Sequence, residues 1–80
     1  MNRMTPDEKF LLKLYETAKK SGDLEQENDS ILVAKEVGLK ETAVKNIVKH
    51  LAQANFVKKG DGTMVHLTSH GCRFVEEYLQ

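Results

Sequence analysis

Eighty residues leave room for one domain, and a chain of that size buries only about 60% of the surface its unfolded form exposes. With 40% hydrophobic and 30% charged residues the balance is that of a globular chain rather than a disordered one, and the single Cys72 excludes an intramolecular disulfide framework. Twelve basic and twelve acidic side chains sum to zero, which argues against a polybasic tail; no apolar run approaches the roughly 20 residues of a membrane helix, and Met1–Pro6 has no signal-peptide core, so the expected location is cytoplasmic.

The first helix opens at Thr5-Pro6-Asp7-Glu8. That run supplies a capping hydroxyl, a proline at the first helical position and a glutamate three residues after the cap. Phe10, Leu11, Leu14, Tyr15 and Ala18 recur at helical spacing behind it, and Ser21-Gly22 closes it after Lys19 and Lys20. Leu12 lies off that stripe, as a surface leucine or as part of a partner contact. Residues 23–29 read as an acidic connector, with no strand signalled around Leu24–Gln26.

A second helix begins after Asp29-Ser30, either of which can cap it. Ile31, Val33, Ala34 and Val37 are its apolar positions. Gly38 supplies a residue free to take positive φ, and Leu39 follows inside the turn. The third helix runs from about Glu41 to Ala54, with Val44, Ile47, Val48 and Leu51 at i, i+3, i+4, i+7 as its buried stripe. Thr42, Lys45, Asn46, Lys49 and Gln53 fall on the opposite side.

The period then changes from 3.6 to 2. Phe56–Lys59 and Thr63–Leu67 read as strands joined by Gly60-Asp61-Gly62, a hairpin loop. Thr68 or Ser69 caps a closing helix over 69–79, with Gly71, Phe74, Val75 and Tyr78 expected inward, Leu79 beside them, and Glu76, Glu77 and Gln80 in water. The expected fold class is α+β, mainly α, over a single domain 1–80: three helices with an antiparallel hairpin laid on them and a C-terminal helix.

Residues 30–49 look like a helix-turn-helix. Ala34 stands four residues before the turn Gly38, and Val33, Val37, Leu39, Val44 and Ile47 fill the apolar places around it. With the hairpin the chain resembles the winged-helix family, and Leu67-Thr68-Ser69-His70-Gly71-Cys72-Arg73-Phe74 is similar to the lead-in to the closing helix of many bacterial winged-helix regulators. The resemblance spans roughly residues 6–79, with a helix-turn-helix over 30–54, a wing over 56–67 and the closing helix over 69–79. It departs from the family at Lys40, which stands where a serine or threonine usually caps the second helix of the pair.

The resemblance implies double-stranded DNA binding, with the third helix in the major groove, the wing against the backbone, and a role in transcriptional regulation. It places Lys40, Glu41, Thr42, Lys45, Asn46 and Lys49 at the DNA. The side opposite the buried stripe holds nearly the same residues. Asn46 suits adenine, Lys45 reaches guanine acceptors, Lys40 and Lys49 suit phosphates, and Lys58, Lys59 and Thr63 reach backbone or minor groove. Four to five phosphate contacts imply a log–log salt slope near −4. Specific recognition then asks for a homodimer, with contacts from Met1, Met4 and Leu12 or from Tyr78 and Leu79.

Charge cuts both ways. Residues 35–59 carry Lys35, Lys40, Lys45, Lys49, Lys58 and Lys59 against Glu36 and Glu41, so a neutral chain can present one basic face. The zero sum and the acidic stretch 23–29 favour the alternative, a winged-helix protein–protein interaction module without DNA binding. Lysines that merely solvate helix surfaces are the third reading.

His66, His70 and Cys72 match no standard zinc spacing, so no metal is expected. No phosphate loop, HExxH or nucleophile elbow is present. His70 and Cys72, two positions apart on one helix, point away from each other. The expectation is a protein that is not an enzyme and takes no cofactor and no small-molecule ligand.

Overall fold

Residues 4–80 are described by a computed structural model, and the elements run α1 (Pro6–Ser21), β1 (Asn28–Asp29), α2 (Ser30–Glu36), α3 (Glu41–Gln53), β2 (Val57–Lys59), β3 (Met64–Leu67) and α4 (Ser69–Phe74), the last continuing into a π-helical turn (Val75–Leu79). The architecture is α+β and mainly helical. Its three-stranded antiparallel sheet has the order β1-β3-β2.

The capping box of α1 forms as its sequence requires. The Glu8 amide donates to Thr5 Oγ1 at 3.1 Å, and the Thr5 amide donates back to Glu8 Oε1 at 2.9 Å. Phe10, Leu11, Leu14, Tyr15 and Ala18 are buried, and Gly22 terminates the helix in the left-handed conformation. The expected stripe of α3 is buried in full: Val44, Ile47, Val48 and Leu51. This stripe and Phe10, Leu11, Leu14 and Tyr15 of α1 make one cluster with Val33, Ala34, Val57, Val65, Leu67, Cys72 and Val75. Among the described residues no helix is long and apolar enough to cross a membrane.

The turn between α2 and α3 depends on Gly38 at φ +74, a region that costs a side-chain-bearing residue roughly 1 kcal/mol or more. Its geometry lets the Leu39 amide reach back to the Ala34 carbonyl at 2.9 Å, which closes α2 and redirects the chain into α3. Gly71 is required for a different reason. A Cβ there would lie 2.1 Å from the Phe56 carbonyl oxygen, so α4 can pack on the segment leading into β2 only through a bare backbone.

Several expectations are corrected. The connector contributes a strand after all, not at Leu24–Gln26 but at Asn28–Asp29, where pairing with Val65 and Met64 supplies what polar side chains do not. Leu12 is not a free surface leucine, since it packs partly buried against the core cluster. Helix α3 stops at Gln53, one residue early, because Asn55 turns left-handed at φ +63 and the Phe56 amide returns to the Leu51 carbonyl at 2.9 Å. Phe56 and Thr63 flank the strands rather than belonging to them.

The closing helix is not one α-helix. Its last turn widens to i→i+5 bonding over Val75–Leu79. The wider turn brings Leu79, not Tyr78, back over Val75. Leu79 therefore packs on the core and Tyr78 is 70% exposed, against the expectation that Tyr78 faces inward. Phe74 is only half-buried, and exposed Glu76 is engaged: the Tyr15 hydroxyl donates to its Oε2 at 2.7 Å. That bond to a carboxylate, then burial, holds the Tyr15 phenol above its ordinary pKa. Burial likewise pushes the Cys72 thiol up, with the Glu76 and Glu25 carboxylates adding to it. Of the residues named for a dimer contact, Met1 lies outside the described residues and Met4 is half-buried.

Candidate nucleic-acid interface

Helix α3, the start of α2 and the hairpin β2–β3 enclose a groove of about 640 Å³. Glu41, Thr42 and Lys45 line it from the helix, and Lys59, Gly62 and Thr63 from the hairpin. Its floor is apolar: Ile31, Val44, Val48, Met64 and Val65.

The hairpin is held at this distance by a junction at its tip. The Ser30 amide and hydroxyl both donate to the Thr63 carbonyl, at 2.9 and 2.7 Å. Asp29 Oδ1 accepts from the Ile31 amide at 2.9 Å, capping α2, and from the Thr63 hydroxyl at 2.8 Å. Ser30 is the one buried polar residue among those described, and these two bonds satisfy it. One loop residue thus ties the hairpin to the first turn of α2. Inside the hairpin the Gly60 amide donates to the Met64 carbonyl at 2.8 Å, and the Met64 amide to the Asp61 carbonyl at 3.0 Å.

Of the nine residues singled out from the sequence, the groove gathers Glu41, Thr42, Lys45, Lys59 and Thr63. Lys40, Asn46 and Lys49 are exposed on the same helix and its cap, outside the groove wall. Lys40 makes no side-chain capping bond at the α3 N-terminus. Lys58 is separated from Lys59. Successive strand residues point to opposite faces; Lys59 opposes Val65 on the inward face, whereas Lys58 opposes His66 on the outer one. There His66 Nδ1 is buried without a hydrogen-bond partner, 3.9 Å from Glu27 Oε2. Thr63 has its hydroxyl proton committed to Asp29.

Among the described residues Lys13 and Glu36 form an ion pair at 3.4 Å, and two histidine–carboxylate contacts, His50–Asp7 at 3.4 Å and His66–Glu27 at 3.9 Å, are ion pairs only with a protonated imidazole. Lys40, Lys45, Lys49, Lys58 and Lys59 take part in none of them. Carboxylates near this set are Glu41 on α3, the exposed Asp61 at the hairpin tip, Asp29 at the Thr63 junction and Glu27 beside Gly60 and His66. The described residues contain no group of three or more His, Cys, Asp and Glu side chains able to hold a metal.

The groove floor is the feature that the sequence reading missed. Val44 and Val48 were legible as a buried stripe, but Ile31 and Met64 are separated by 33 positions and meet through the pairing of Asp29 with Met64 and the Ser30–Thr63 junction. No family model, curated protein or solved structure matches this chain.

Proposed function

We propose that this chain is a winged helix-turn-helix domain that binds double-stranded DNA, α3 entering the major groove and the hairpin serving as the wing, with transcriptional regulation as its setting. The observation that carries this reading is the set of unpaired lysines around one groove. Lys45 and Lys59 line the groove from α3 and the hairpin, Lys40 and Lys49 stand exposed on the same helix and its cap outside the groove wall, and none of the four is engaged by a carboxylate among the described residues. Ammonium groups left unpaired keep their full attraction for a polyanion, and their grouping sets a local potential that a zero net charge does not cancel.

A helix fits the major groove, and one phosphate strand then lies between α3 and the wing. Asn46 and Lys45 point to base edges, while Lys40, Lys49 and Lys59 take phosphates. Lys58, on the other face of the hairpin, adds field but no contact. With Lys45 counted, about four neutralised phosphates give a salt slope between about −3 and −4.

Fluorescence anisotropy with a short random duplex, read across a salt series, tests this. Affinity falling with that slope, and reduced at least about tenfold in the folded Lys45→Ala/Lys49→Ala double variant, is expected. Unchanged affinity in that variant would remove α3 from the interface.

The apolar floor of Ile31, Val44, Val48, Met64 and Val65 favours a second reading, a protein–protein interaction module that seats a partner's apolar side chain there. Such a module would show no salt-sensitive retention on duplex DNA or heparin.

A further inference from the structure

The solvent face of the closing helix carries two parallel rows. His70, Phe74 and Tyr78 recur at i, i+4 and i+8, with Phe56 inserted from the segment before β2. Ring centroids lie 4.9 Å apart for Phe56–His70, 4.6 Å for Phe56–Phe74 and 5.2 Å for Phe74–Tyr78. The π-turn leaves Tyr78, at 70%, more exposed than Leu32, the other exposed large apolar side chain, at 57%. Beside the rings run Arg73 and Glu77, both exposed and in no ion pair among the described residues.

We propose that this face binds a second copy of the chain, the two closing helices lying antiparallel about a two-fold axis near Val75. An isologous interface must be complementary to itself. A row with a cation at 73 and an anion at 77 meets that condition only when antiparallel, where each Arg73 opposes the partner's Glu77. A parallel pair would oppose like charges. The same alignment sets each Tyr78 level with the gap between the partner's His70 and Phe74, a ridge entering a groove. A partner of one charge would satisfy only one of the two charged residues; a second copy satisfies both.

The patch is one short helix face, well under the roughly 800 Å² per partner of a standard interface. The dimer is therefore weak and concentration-dependent. It leaves the α3 groove free and stands whether or not that groove binds DNA.

The test is made without DNA. Sedimentation equilibrium and amide NMR are read from about 10 μM to about 1 mM, the span over which a small interface associates. A monomer–dimer equilibrium is expected, with concentration-dependent shifts centred on His70, Phe74 and Tyr78. Arg73→Glu and Glu77→Arg each weaken association about tenfold or more, and the double charge swap restores it. Tyr78→Ser weakens it comparably. All three residues are exposed, and thermal melts confirm that the variants fold. A wild-type chain monomeric at about 1 mM would overturn the proposal. So would a dimer indifferent to both single reversals, or one that the double swap fails to rescue.

Discussion

Lys40 and Gly71 show single residues working against or for the local backbone. Lys40 occupies the N-cap of α3 with extended geometry and no side-chain bond, leaving amides of the first turn unsatisfied by the cap. Lys40→Ser should raise stability by about 0.5–1 kcal/mol and, if α3 faces DNA, lower duplex affinity in the same protein. Urea titration and anisotropy read the two effects separately, and a loss of stability would remove the capping argument. Gly71→Ala should destabilise by about 1–3 kcal/mol, because the new methyl must displace the Phe56 carbonyl, which is backbone and cannot rotate away. A thermal melt reads this directly; an unchanged midpoint would mean that the approach of α4 to Phe56 is looser than 2.1 Å implies.

The individual elements show how a short strand and a shared carboxylate organise the groove. Asp29 serves two elements at once, capping α2 and anchoring the hairpin tip through Thr63. Asp29→Ala should therefore cost more than a cap alone, about 1–2 kcal/mol for the cap plus faster hydrogen exchange at Ser30 and Met64. Faster exchange at Ile31 with Ser30 and Met64 unchanged would show that the tie to the hairpin carries nothing. Elements specified by their own residues were legible in the sequence: the α1 capping box, the apolar stripe of α3, Gly38 in the turn and the two-period alternation of Val65 and Leu67. Elements that exist only through a neighbour were not. Asn28-Asp29 is a strand because β3 pairs with it, and Tyr78 is exposed because the last turn of the closing helix widens. The candidate site divides the same way. The exposed side of α3 followed from helical period alone, whereas the opposite facing of Lys58 and Lys59 needed the register of β2 on β3.

At the scale of the molecule, Tyr15 and Cys72 link stability to alkaline pH. The folded state holds both groups above their ordinary values of 10.0 and 9.0, so above those values it binds more protons than the unfolded chain. Their contribution is complete below about pH 9 and is lost as pH rises through the raised values. Urea midpoints from about pH 8 to pH 11 should fall, and Tyr15→Phe should flatten part of that fall; an identical slope would assign it to other groups. The sheet carries a consequence of its own. Its outer strands, β1 and β2, are two and three residues long and bear Asp29 and the Lys58–Lys59 pair. Such borders are too brief and too charged to recruit another chain by main-chain bonding. They steer the protein away from cross-β growth, and confine self-association to side-chain surfaces that can let go again.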